Sequence, residues 1–197
     1  FDVTGLTAKG LYYDGTASGV SVDAKGGSSY AVTATNGSAF GVAVSGSGNT
    51  LSYGKVNNVV VNATGDYAGV LAAYGFAALS GGTLSGDGTN SIKNVSVTAD
   101  KDVAGVYADN GSSVTGASID NLTVNSGRIA FGINVSRNSS ADLTVDNLTV
   151  NSASNGFGID VSDNSSADLT VGNMHVNGSN NTYGVYAAIS GNVQLAL

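Results

Sequence analysis

Two stretches, FGINVSRNSSADLTVDNLTVNS from Phe131 and FGIDVSDNSSADLTVGNMHVNG from Phe157, are near copies set 26 residues apart. A repeat this short cannot bury its own apolar face and has to borrow its neighbours, which limits the chain to stacked-coil architectures. Extending the register gives Gly69, Gly105, Gly132, Gly158 and Gly184, each with an asparagine 11 residues before it: Asn58, Asn94, Asn121, Asn147 and Asn173. The apolar residues keep the same phase. Val56, Ile92, Ile119, Val145 and Val171 stand two before the asparagine, while Val61, Val97, Val124, Val150 and Val176 stand three after it. Val70, Val106, Ile133, Ile159 and Val185 follow the glycines.

Within each unit the apolar residues alternate with polar ones, the period of a strand with one buried face. Composition agrees. All the acidic residues are Asp, Gln194 is the single Gln, and Val, Thr, Ser, Asn and Gly dominate. Strong helix formers other than Ala are therefore scarce. Pro, which would remove a ladder donor, is absent. The expected fold is all-β: a parallel β-helix of about six coils with three short strands each. It forms a single domain over residues 1–197, with irregular N-terminal coils over 1–57, long-loop coils over 31–91 and regular coils over 92–197.

Stacking makes contacts between coils foreseeable. The five asparagines are expected to form a side-chain ladder at a bend. In the first coil Tyr30–Ala34 is aligned with Phe131–Val135, which puts Gly19 at the asparagine position and ends the ladder there. Phe131, Phe157, Tyr183 and Tyr30 form an aromatic column whose parity with the following Val or Ile makes it core. Arg137 is expected beside Asp163, and Lys93 beside Asp120. Residues 35–54 and 73–91 look like insertions, forming either an extra strand pair or a protrusion. Phe40, Tyr53, Tyr74 and Phe76 in these segments are candidate partner contacts, since insertions in solenoids often form the binding side. The exterior row Leu71, Tyr107, Asn134, Asp160 and Tyr186 is a second candidate, with Tyr suited to glycan or protein contact.

No catalytic set emerges, and no cofactor or metal site is expected. Cys is absent, and the lone His175 falls in an exterior row. Asp142 is expected over Asp168 and Asp120 over Asp146, but both pairs flank turns, where Asp serves structurally. The G-G-x-G-x-D calcium repeat does not occur. A net charge of −7 argues against nucleic acid or an anionic membrane as partner. No apolar run reaches the roughly 18 residues of a membrane-spanning helix.

The segments AGVYADNGSSVTGASIDNLTVNSG, FGINVSRNSSADLTVDNLTVNS and YGVYAAISGNVQ resemble passenger repeats of bacterial autotransporters, the pertactin-like and self-associating adhesin group, over roughly residues 30–197. The resemblance implies a right-handed β-helix exported through the periplasm and outer membrane to the cell surface. It also implies attachment to host glycans or matrix proteins, or self-association leading to aggregation and biofilm. A passive stalk displaying another region is the alternative; a polysaccharide-cleaving enzyme has less material to work with. No barrel follows Ile189, so the resemblance implies a passenger segment. No ligand-binding motif of a particular adhesin matches.

Overall fold

A computed structural model of the chain describes residues 2–14, 21–24, 28–53, 56–65, 72–86 and 91–197, with the backbone alone for 21–24, 28–30 and 91. Strand β1 (Asp2–Gly5) precedes a first coil of β2 (Ala8–Asp14), β3 (Ser21–Ala24) and β4 (Ser28–Thr35). The second coil is β5 (Ala39–Ser45), β6 (Thr50–Tyr53) and β7 (Val56–Thr64); the third is β8 (Ala73–Leu79), β9 (Thr83–Gly86) and β10 (Ser91–Ala99). In the next three coils the second and third legs fuse into one long bent strand. These are β11 (Val103–Asp109) with β12 (Ser113–Ser126), β13 (Ala130–Ser136) with β14 (Ser140–Ser152), and β15 (Gly156–Val161) with β16 (Ser166–Gly178). Strands β17 (Thr182–Ala187) and β18 (Asn192–Ala196) begin another turn. Every strand pairs in parallel with its equivalent in the next coil, giving a seven-stranded sheet of first legs and an eleven-stranded sheet of second and third legs. The chain is a parallel β-solenoid of about six turns.

The core is a set of stacked rows. Val32, Val61, Val97, Val124 and Val150 are paired in sequence from coil to coil and are fully buried. Burying one such side chain contributes about 1.5–3 kcal/mol, so the rows together hold the coils in one register. At the bend between second and third legs the asparagine ladder forms as the repeat predicts. Asn94 donates to Asn58 at 2.9 Å, Asn121 to Asn94 at 3.1 Å, Asn147 to Asn121 at 3.2 Å and Asn173 to Asn147 at 3.0 Å. Ser29 is the residue paired with Asn58 in the coil before, and the predicted Gly19 lies outside the described residues.

The glycine column also forms, with one member replaced. Val106 pairs with Phe76 and Ala104 with Tyr74, so Gly75, not Gly69, is the equivalent of Gly105. Gly69, Val70 and Leu71 lie outside the described residues. Continuing the pairing adds Gly41 and Gly10. A Cβ on Gly10, Gly41, Gly75, Gly105, Gly132 or Gly158 would stand 2.5–2.7 Å from the carbonyl oxygen of the next glycine in the column. That close approach is what requires glycine at this level of the coil.

In this register the described residues of the supposed insertions fall into regular legs. Residues 39–45 and 73–79 are ordinary first-leg strands, and 50–53 and 83–86 are second-leg strands paired with Ser113–Thr115 in turn. No protrusion is built from them: Tyr53 and Phe76 are 2% and 1% exposed and touch at 5.5 Å between ring centroids inside the core. The first-coil alignment changes as well. Tyr30–Ala34 pairs with Val59–Ala63 and belongs to the third leg, not the first.

Gly132→Ala is expected to destabilise the protein by about 1–3 kcal/mol through overpacking against Gly158 and Leu148. Asn147→Ala removes its bonds to Asn121, Asn173 and the Asp120 carbonyl, and should cost about 1–2 kcal/mol. Urea denaturation midpoints measure both, with the glycine variant the lower.

Candidate functional site

The outer face of the first-leg sheet owes its shape to a break in the in–out alternation at the glycine. Pairing passes from Phe131 with Phe157 directly to Ile133 with Ile159, skipping the glycine in each coil. The skipped residue reverses the alternation locally. Ala130, Ile133 and Val135 therefore enter the core, while Phe131 turns outward into a separate cluster with Ala104 and Tyr107. Strict alternation had placed Phe131, Phe157 and Tyr183 inside; the break at the glycine places them outside.

These rings build a spine along the face. Tyr12 meets Phe40 edge-on at 5.4 Å, Phe40 stacks on Tyr74 at 4.6 Å, and Tyr74 leans on Tyr107 at 5.4 Å. Phe131 stacks on Phe157 at 5.0 Å, Phe157 on Tyr183 at 5.2 Å, and Tyr186 packs against both Phe157 and Tyr183. The Lys9 ammonium sits 3.6 Å from the Tyr12 ring centre at one end. Phe40 and Tyr74 occupy the position before the glycine, while Tyr12 stands two after Gly10, in the column that leads through Ala43 and Ala77 to Tyr107. At the coil after Tyr74 the position before the glycine is Ala104, and the ring moves to Tyr107, three residues on. Above it Phe131 returns to the original column. The spine breaks at this change of column.

A cleft of about 370 Å³ lies at the break, lined by Asp102, Tyr107, Phe131, Asn134, Ser136, Arg137, Ser162 and Asp163. The exterior row foreseen from the repeat contributes Tyr107 and Asn134 to it and runs on beyond: Tyr107 pairs with Asn134, Asn134 with Asp160, and Asp160 with Tyr186. Ala77 takes the place expected for Leu71. Of the insertion residues, Phe40 and Tyr74 join the spine, away from the cleft lining, and Tyr53 and Phe76 are core.

Two cross-coil ion pairs frame the cleft. Arg128 grips Asp102 through both Nε and Nη2, and the Ile129 amide donates to the same carboxylate at 3.0 Å. Arg137 grips Asp109 in the same forked manner, and the Ser136 hydroxyl donates to Asp109 at 2.9 Å. Arg137 thus turns back to the preceding coil instead of on to Asp163 as the stacking rule suggested. Forked guanidinium–carboxylate pairing satisfies two donors at once and outweighs an exposed contact across the turn. Both Arg137 and Asp163 hold left-handed backbone, φ 53° and 55°, at a turn that begins with Asn110 in the coil before. Hydrogen bonding to Asp109 raises the pKa of Arg137 still further, keeping it a fixed cation. Burial, with Asp109 close by, raises that of Tyr107 and keeps its hydroxyl neutral.

Beside these satisfied groups stand unsatisfied ones. Asn134, 9% exposed, donates through Nδ2 to Asp160 Oδ2 at 3.3 Å, but its Oδ1 and Asp160 Oδ1 are buried without a partner. Burial, aided by the nearby Asp163, lifts the Asp160 pKa to about 6. One long hydrogen bond does not offset the lost hydration.

Elsewhere on the described surface, asparagines bond to one another between coils. A second asparagine ladder, Asn177 to Asn151 and Asn151 to Asn125, both at 2.9 Å, runs four residues after the first. Its signal, the final Asn of N-L-T-V-N, was present in the repeat and went unread. Asp142 pairs with Asp168, as foreseen, at a shallow polar surface. No group of three or more metal-ligating side chains occurs among the described residues. Fold and cleft define a parallel β-solenoid with a concave patch on the outer face of its first-leg sheet. Comparison with protein-family models, curated proteins and solved structures finds no match to this chain.

Asp160 provides a pH test. Its carboxyl holds its proton more tightly folded, at about 6, than at the ordinary 3.8. The stability this gives is complete below about pH 4 and is lost as pH rises through 6. Asp160→Asn should therefore resemble the parent protein at pH 4 and denature at a higher temperature than it at pH 7, as read from melting curves across that range.

Proposed function

We propose that this chain is the passenger segment of a bacterial surface adhesin of the autotransporter kind, attaching to host glycans or matrix proteins or to copies of itself. The observation that carries the reading is the cleft at Tyr107, Phe131 and Asn134. It combines aromatic rings, a committed arginine and an unsatisfied acceptor on a rigid sheet, and its volume falls at the small end of ligand sites. Such a scaffold favours recognition, because strands fix side chains more firmly than loops do. The carboxylates Asp102 and Asp109 are held by arginines, which suits an architectural role better than proton transfer. Export through the periplasm fits a chain without Cys, which forms no premature disulfides there.

The passive-stalk reading has its own support. The second and third legs carry asparagine ladders whose amides bond mainly to one another, a surface built for length more than for contact.

Binding of the purified chain to a broad glycan array and to immobilised matrix proteins, with sedimentation from micromolar to millimolar concentration, separates these readings. Saturable binding or concentration-dependent association is expected. A monomer silent on every surface leaves the stalk.

A further inference from the structure

Resting on the binding reading above, we infer that the cleft between Tyr107 and Phe131 is a built site for one uncharged, hydroxyl-rich sugar ring. Four observations converge. The first is shape: the break in the aromatic spine leaves a recess bounded by two rings, and the apolar C–H face of a pyranose packs on aromatic surfaces of this kind. The second is an unmet need. Asn134 lines the recess, is nine-tenths buried, and carries an oxygen with no donor in the protein. A buried acceptor left empty costs free energy that a ligand hydroxyl recovers by donating to it.

The third is charge. Both arginines near the cleft are engaged by Asp102 and Asp109, whereas Asp163 on the lining and Asp160 beside it have no cationic partner among the described ion pairs. An anionic sugar would meet this negative field without a free guanidinium to receive it, so sialylated or sulfated glycans are selected against. The fourth is backbone. Strands β11, β13 and β15 pair on both sides, so no sheet edge is available to a peptide adding as a strand. A ring with hydroxyls on one side and C–H groups on the other fits all four. In this geometry Asn134 accepts from a ring hydroxyl, Phe131 or Tyr107 covers the apolar face, and Ser162 and Asp163 receive outward hydroxyls.

The test is a titration of the whole chain followed by amide NMR. The probes are lactose, N,N′-diacetylchitobiose and free galactose, with 3′-sialyllactose as the charged counterpart of lactose and glucosamine as a cationic sugar. At least one neutral probe is expected to move the amides of residues 131–137 and 160–163 saturably at pH 7, and to bind about tenfold or more tightly than its sialylated form. Asn134→Ala should weaken that binding about tenfold, the loss expected for one hydrogen bond. Phe131→Leu, which keeps an apolar side chain in the column, should weaken it as well with amides remote from the cleft unmoved.

Neutral sugars that leave these amides still while glucosamine moves them would make the cleft a cation site and overturn the inference. Equal binding by the Asn134→Ala protein, or by 3′-sialyllactose, would overturn it too. Glycan or matrix binding mapped to other residues would sink the cleft and spare the adhesin reading. Silence in both this titration and the array would end both.

Discussion

Everything in this molecule rests on in-register contact between one coil and the next. The strand that satisfies a residue's backbone groups is the equivalent strand of the neighbouring coil, so chemical identity between coils becomes physical adjacency. The glycine column makes that register tight: the position where a Cβ would stand is already within 2.5–2.7 Å of the neighbour's carbonyl oxygen. Rows of valine inside and ladders of asparagine outside then reinforce the same alignment from opposite sides of the backbone. Their energies point one way, which is the condition for a single fold.

The same glycine also decides what the outer face presents. By breaking the alternation once in every coil, it turns an aromatic residue outward where simple alternation would hide it. Repeated along the axis, this produces a spine of rings that would be smooth if every coil were alike. It is interrupted because one coil carries Ala104 and Tyr107 where its neighbours have an aromatic and then a small or polar residue. Two side chains exchanged between outward positions three residues apart are enough to open a recess in a regular surface. Specific recognition on a solenoid arises from such departures, since a perfectly repeated face offers every site many times over.

Electrostatics follows the stack as well. Asp102 and Asp109 are buried only because an arginine one coil further on reaches back to each of them. Asp160 has no such partner, and its carboxyl is pushed toward the neutral form. The cleft and its margin thus hold two spent cations and, in Asp160, an unspent acid, an asymmetry that a count of charges along the chain does not reveal.

The sequence by itself determined the coil, its strands and the asparagine ladder, because a two-residue alternation recurring every 26 residues admits few other packings. It also located the row Tyr107, Asn134, Asp160 and Tyr186, since positions that repeat in sequence repeat in space. It misjudged the early coils, where Gly69 took the place that belongs to Gly75: unequal coil lengths leave several alignments open, and only pairing selects among them. The outward turn of Phe131, the burial of Tyr53 and Phe76, and the grip of Arg137 on Asp109 were likewise decided by tertiary structure. The physical reason is common to all of them. A break in alternation, a bend or a left-handed turn changes a side chain's direction through backbone torsion, and torsion leaves little trace in the period of the residues that adopt it.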